Sequence, residues 1–107
     1  MSPELDLLER LAAADASLHE AARGSGHAFR DLPHAMHVVS IYVRSGLVEL
    51  YDTRSDLREA LPTHAARVVL GDEAPWEAGQ PYALRLTDEG VKQFREDSEG
   101  FFRRLFA

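Results

Sequence analysis

The stretch YALRLTDEGVKQF, residues 82–94, changes from a strand pattern to a helix start without an intervening loop. Apolar side chains alternate along its first five residues, which indicates a half-buried strand. Thr87 stands where a helix cap is expected, and the two acidic residues after it suit the positive end of a helix dipole. The pattern therefore predicts a strand over 82–86 that runs directly into a C-terminal helix over 88–106.

The clearest helix lies upstream, in DLPHAMHVVSIYVRSG, residues 31–46. Asp31 is a good N-cap, and Gly46 provides the left-handed residue at which helices often stop. Helical spacing places a set of apolar residues on one side: Ala35, Met36, Val38, Val39, Tyr42 and Val43. We predict a helix over 31–45, followed at once by the strand LVELY, residues 47–51, which can pair antiparallel with the later strand.

The N-terminal residues 3–23 have a helical pattern, and Pro3 suits the first position of a helix. A stripe of leucine and alanine could continue through the whole segment as one long helix. Alternatively, the helix breaks near Ala14, and a second short helix is capped by Asp15 or Ser17. We favour the break.

The segment 55–72 permits two interpretations. Residues 67–70 alone have the pattern of a strand, but the piece after Pro62 also suits a short helix capped by Thr63, and we favour the helix. A loop rich in Pro and Gly follows and carries Trp76. We expect this side chain to be buried and to pin the loop to the domain. The alternative is that it forms an exposed anchor for a partner.

The length of 107 residues indicates one domain spanning residues 1–107, and the order of the predicted helices and strands indicates an α+β fold that is mostly α. Cysteine is absent, so neither secretion nor a thiolate metal site is favoured. The apolar stretches are too short for a membrane span, and the first ten residues lack the pattern of a signal peptide, so we expect a cytoplasmic protein. The formal net charge of −6 opposes non-specific binding to nucleic acid, although it does not exclude a local basic face.

VRSGLVELY, residues 43–51, followed by YALRLTDEG, residues 82–90, resembles the winged helix-turn-helix family, particularly the MarR-like and PadR-like bacterial regulators. In that family a recognition helix ends at a glycine, a first wing strand follows, and a second wing strand leads into an LT-x-x-G helix start. The resemblance covers about residues 31–95. It implies that residues 31–45 are the recognition helix and that residues 47–86 are a two-stranded antiparallel wing with an insertion.

The wing departs from the family pattern, which is usually a short basic hairpin. The long insertion is acidic in balance, and this argues against contact between the wing and a minor groove. The wing and its insertion carry the acidic residues Glu49, Asp52, Asp56, Glu59, Asp72, Glu73 and Glu77 against the basic residues Arg54, Arg58 and Arg67.

The polar face of the predicted recognition helix carries the candidate contacts to DNA. The candidates on this helix and just ahead of it are Arg30, His34, His37, Ser40, Ile41 and Arg44. The two histidines could donate to phosphates or bases, and both arginines could pair with phosphates. Ile41 could touch a thymine methyl group. The alternative is an ordinary solvated helix face.

Metal binding and catalysis have little support in the sequence. His34 and His37 are three residues apart and could share a metal, but a zinc site needs further ligands, and His19 and His64 have no evident placement. The chain has no nucleophile elbow, no Gly-rich phosphate loop and no carboxylate pair in a recognisable cleft. We therefore expect no metal, no cofactor and no enzyme activity.

The C-terminal GFFRRLFA, residues 100–107, concentrates large apolar side chains at one end of the chain. Exposed apolar patches tend to mark interfaces, so we expect a homodimer, with ordinary packing against the first helix as the alternative. The predicted interface residues are Phe101, Phe102, Leu105 and Phe106.

Two functions are compatible with these features. The first is a transcriptional regulator that binds DNA as a dimer and places two recognition helices in successive major grooves. The second is a winged-helix protein–protein interaction module that does not bind DNA and contacts its partner through the acidic wing insertion and Trp76.

Overall fold

A computed structural model of the chain describes residues 3–23, 29 and 31–94. Five helices, three strands and a short 3-10 turn are present in these residues, which confirms the predicted α+β class with mainly helical structure. In chain order they are α1 (Pro3–Ala13), β1 (Ala16–Ser17), α2 (Leu18–Arg23), α3 (Leu32–Arg44), β2 (Val48–Asp52), α4 (Thr63–Leu70), the 3-10 turn (Ala74–Trp76), β3 (Tyr82–Leu86) and α5 (88–94). Each helix of the described residues is too short or too polar to cross a membrane.

The strands form one antiparallel sheet in the order β1-β3-β2. The predicted pairing of 47–51 with 82–86 is confirmed, with the first strand displaced by one residue and Leu50 opposite Leu84. A third strand, which the sequence did not predict, extends the sheet, because β1 pairs with the free edge of β3. A strand of two residues is too short to show an alternating pattern, so it left no signal in the sequence.

The break predicted near Ala14 is confirmed, since α1 and α2 are separate helices. Ser17 caps the second of them. Its hydroxyl oxygen accepts a hydrogen bond from the backbone N–H of Glu20 at 3.1 Å and donates to the Glu20 carboxylate at 3.0 Å. Asp15 has a different role, because its carboxylate accepts a 2.6 Å hydrogen bond from the hydroxyl of Tyr51 on β2.

Helix α3 buries the apolar face that its spacing predicts. Asp31 accepts a hydrogen bond from the backbone N–H of His34 at 2.8 Å, and Gly46 has a left-handed φ of 79°, so both ends agree with the sequence. Tyr42 lies fully buried in this face and donates a 2.6 Å hydrogen bond to the backbone carbonyl of Glu4 on α1. Burial raises the pKa of Tyr42 far above its usual value, and the nearby Glu4 carboxylate adds to the shift.

Helix α4 confirms the helical interpretation of the insertion, but not the predicted cap. Thr63 is the first helical residue, and Pro62 precedes it without making a side-chain cap. The amphipathic spacing of α4 directs Ala66 and Leu70 into the core beside α3. Trp76 is buried as expected, with 2% of its surface exposed, and its indole N–H donates to the Leu70 carbonyl at 3.2 Å.

The joint between β3 and α5 explains the LT-x-x-G motif. The Thr87 hydroxyl accepts the N–H of Gly90 at 2.9 Å as a helix cap and donates to the Gly46 carbonyl at 2.6 Å. The backbone N–H of Thr87 donates to the Leu47 carbonyl at 3.0 Å. Gly90 is needed here because a β-carbon at this position would overlap the Leu47 carbonyl oxygen and lie 2.9 Å from its carbonyl carbon.

The end of the predicted C-terminal helix and the Phe-rich segment lie outside the described residues. Residues 88–94 are helical, in agreement with the prediction over that part. The predicted dimer contacts at Phe101, Phe102, Leu105 and Phe106 have no structural description, and the same holds for Arg30. These assignments remain predictions.

Candidate nucleic-acid interface

The polar side of α3 separates into a part engaged within the fold and a part that faces outward. His37 and Arg44 are exposed, whereas Ser40 and Ile41 are half-buried. They share one side of the helix because they lie three or four residues apart. The sequence-predicted face is therefore open over its C-terminal two-thirds.

His34 does not belong to this open face. Its Nε2 lies 3.1 Å from a carboxylate oxygen of Glu4 on α1, and its ring makes an edge-to-face contact with Phe29 at 5.3 Å between centroids. Its Nδ1 is buried and has no hydrogen-bond partner in the described part of the chain. Because the imidazole is enclosed between α1 and Phe29, His34 joins two helices and is not positioned to meet a ligand with the rest of the face.

A cleft of about 300 Å³ lies between the C-terminal half of α3 and helix α4, and we refer to it as the α3–α4 cleft. Ser40 and Arg44 line it from α3, and Thr63 and Arg67 line it from α4. Two cationic and two hydroxyl side chains from different helices thus meet at one depression. The remaining lining residues are Val43, Leu70 and Gly71.

Arg44 and Arg67 differ from Arg54 and Arg85 in having no carboxylate partner among the described residues. Arg54 forms a bidentate pair with Asp52 at 2.7 and 3.1 Å. Arg85 donates to Glu49 at 2.6 Å. Both cleft arginines are solvent-exposed. Their charge is therefore available to an external anion, whereas that of Arg54 and Arg85 is largely neutralised.

The β2–β3 ribbon is occupied by contacts within the fold. Glu49 and Arg85 are opposite each other across the strands, and the Arg85 guanidinium lies 4.7 Å from the ring centroid of Tyr51. Burial, together with the hydrogen bond to Asp15, raises the pKa of Tyr51. These pairings largely neutralise the charge of Arg85 within the β2–β3 ribbon.

The insertion exposes two large apolar side chains, and Trp76 is not one of them. Trp76 lies in the core, so the alternative of an exposed Trp76 anchor is wrong. The large apolar side chains that the described residues expose are instead Leu57, 77% exposed, and Val68, 72% exposed. Both belong to the insertion between β2 and β3.

The described residues contain no group of three His, Cys, Asp or Glu side chains that could hold a metal ion. His37 is separated from the engaged His34, and His19 lies against the Trp76 carbonyl, with 3.3 Å between its Nδ1 and that oxygen. His64 lies beside Arg67 and Val68 on the outer surface of α4. The four histidines in the described part of the chain are thus dispersed over several surfaces.

The sequence did not indicate that α4 contributes Thr63 and Arg67 to the α3–α4 cleft. Thr63 and Arg67 are four residues apart, so the helix predicted after Pro62 already places them on one face. Nothing in that spacing, however, indicated that this face would lie against α3.

Comparison with known proteins gives no match to a protein-family model, a curated protein or a solved structure.

Proposed function

We propose that this protein is a winged-helix transcriptional regulator that binds DNA through α3. The observation that carries the proposal is the open face of α3, where His37, Ser40, Ile41 and Arg44 lie outside the core on a helix that leads through Gly46 into the β2–β3 ribbon. A helix supported from behind by a core can enter a major groove with its outer residues toward the bases.

The topology supports the same proposal. The order helix, strand, two helices and then two strands, with α4 inserted between the last two strands and β3 central in the sheet, is compatible with a winged helix. The contacts of Thr87 and Gly90 give a physical reason for the LT-x-x-G motif on which the family resemblance rests. In this proposal α3 is the recognition helix, and β2 and β3 are the wing strands.

We also propose that the protein acts as a homodimer through the Phe-rich C-terminal segment. Phe101, Phe102, Leu105 and Phe106 are the interface residues of this proposal. A two-fold axis would place two α3 helices in successive major grooves, about 34–36 Å apart. The bound site is then expected to be a pseudo-palindrome.

The side chains of α3 have different roles in this proposal. His37 and Ile41 read base edges, whereas Arg44, near the C-terminal end of the helix, positions the DNA backbone. Because the chain carries a net charge of −6, binding should be modest in affinity and steeply sensitive to salt.

The test begins with selection of bound duplexes from a random library at low salt. On the selected site His37→Ala should cost about 1–3 kcal/mol, with little effect on scrambled DNA. Arg44→Ala should weaken selected and scrambled duplexes about equally and reduce the salt slope by about 1. Lys92→Ala, which removes a charge from α5, is the control for net charge. If neither the wild type nor the variants bind any duplex, the regulator proposal is wrong.

A protein–protein interaction module is the second candidate. It is favoured by the exposure of Leu57 and Val68 on the acidic insertion, since apolar groups rimmed by polar residues often mark interfaces. In this alternative, Leu57→Ser with Val68→Ser abolishes capture of a partner and leaves the fold unchanged. His37→Ala has no effect on that capture, which separates the two candidates.

A further inference from the structure

The α3–α4 cleft joins residues that are far apart in the chain. Ser40 and Arg44 come from the predicted recognition helix, whereas Thr63 and Arg67 come from the insertion. Because α4 packs beside α3, an insertion that is acidic in balance still directs one of its cations toward the same depression as a cation of α3. No acidic residue is among the described residues that line the cleft.

The two guanidinium groups determine what this cleft can bind. Arginine stays charged under physiological conditions and presents a planar set of donors that matches two oxygens of a phosphate or carboxylate. Arg44 and Arg67 have no ion pair in the described part of the chain, so both guanidinium groups are available to a ligand. An anion in the cleft would pair with these cations, and the hydroxyls of Ser40 and Thr63 provide further donors.

The size and the apolar floor of the cleft narrow the class of ligand. A volume of about 300 Å³ is at the lower end of small-molecule sites and exceeds what a bare phosphate needs. Val43 and Leu70 supply apolar surface below the polar rim. This combination suits an anionic group attached to a compact carbon body. We infer that the α3–α4 cleft binds a sugar-phosphate unit, with Arg44 and Arg67 on the phosphate and the apolar floor against the sugar.

A sugar-phosphate unit can come from two sources. One is the backbone of bound DNA, and this source rests on the proposed function, because α3 would then carry the duplex past the cleft. The other is a free phosphorylated sugar or nucleotide, which needs no DNA. A substitution at Arg67 tests the cleft without altering the base-reading face. Arg67 lies on α4, whereas the sequence specificity proposed above depends on α3.

The first arm of the experiment uses ribose 5-phosphate as the free ligand, in calorimetric titrations at about 0.15 M salt. We expect binding to one site with a dissociation constant of about 1 mM or tighter. Arg67→Gln should weaken it at least about tenfold, because one of the two guanidinium groups is lost. Lys92→Gln removes the same charge from α5 and should leave it unchanged. Unphosphorylated ribose should not bind.

The second arm measures duplex binding with the same variants. If the DNA backbone occupies the cleft, Arg67→Gln weakens selected and scrambled duplexes alike and lowers the salt slope by about 1. Far-ultraviolet circular dichroism and urea unfolding verify that each variant is folded; Arg67 is exposed, so we expect no loss of stability.

The two arms separate this inference from the proposed function. Binding of ribose 5-phosphate that depends on Arg67, without DNA binding, supports the cleft and refutes the regulator. DNA binding that depends on Arg67, with or without binding of the free sugar phosphate, supports the cleft with DNA as its source. If Arg67→Gln changes neither the binding of ribose 5-phosphate nor the binding of DNA, the inference is overturned.

Discussion

Gly90→Ala is the substitution whose effect the structure defines most sharply. Gly90 is buried where α5 begins, and its α-carbon faces the backbone of Leu47. The added methyl group would overlap the Leu47 carbonyl oxygen and lie 2.9 Å from its carbonyl carbon. Because the opposing atoms are backbone, no side chain can rotate out of the way, and α5 itself must move.

The expected loss is about 2–4 kcal/mol in the free energy of unfolding. Overpacking typically costs about 1–3 kcal/mol. Moving α5 also strains the bonds from Thr87 to the Leu47 and Gly46 carbonyls, now 3.0 and 2.6 Å long, at about 1 kcal/mol each. Alanine is the better helix former by about 1 kcal/mol, which offsets part of this cost.

Urea unfolding followed by Trp76 fluorescence and by circular dichroism measures the loss, with extrapolation to water. In thermal unfolding the midpoint should fall by about 10 °C. Gly71→Ala is the matched control. Its φ of −83° suits alanine, and the nearest atom to an added β-carbon is the Arg67 carbonyl oxygen at 3.2 Å, so we expect a change below about 1 kcal/mol. A Gly90→Ala protein within about 0.5 kcal/mol of the wild type would refute the close approach of α5 to Leu47.

Three further outcomes are expected. Tyr42→Phe should cost about 1 kcal/mol at neutral pH in urea unfolding, through the hydrogen bond to Glu4; no measurable change would contradict the buried bond. Folding raises the pKa of Tyr42 above its usual value of 10.0. The contribution of Tyr42 to the free energy of unfolding should therefore be constant below about pH 10 and should fall at higher pH. Tyr42→Phe should make this fall shallower in urea unfolding at about pH 9–11, and an equally steep fall would exclude Tyr42 as its source. Phe102→Ser combined with Phe106→Ser should convert a dimer to a monomer in sedimentation at tens of micromolar, whereas a wild type that is already monomeric would rule out the proposed interface.

Local patterns in the sequence determined most of the secondary structure. The cap at Asp31, the stop at Gly46 and the joint at Thr87 were readable because each depends on residues within one turn of helix. The apolar period of α3 likewise determined which face is buried. The pairing of β2 with β3 followed from their alternation and their position on either side of the insertion, and the structure confirms it.

Elements without a local signal were not predictable in this way. Strand β1 has two residues and exists because the edge of β3 is available to Ala16 and Ser17. The cap of α4 differed from prediction because Pro62 takes the N-cap position and places Thr63 within the helix. For β1 the chain follows a distant strand, and this relation is not contained in a window of adjacent residues.

The candidate interface shows the same division. The sequence alone determined which residues of α3 are polar and share a side, because helical geometry relates positions three and four apart. Only the tertiary structure decided that Glu4 and Phe29 engage His34, and that α4 brings Arg67 to the cleft beside Arg44. The physical reason is that helical period orders side chains around one helix, whereas contacts between helices depend on how their surfaces pack, and that packing joins residues with no fixed spacing in the chain.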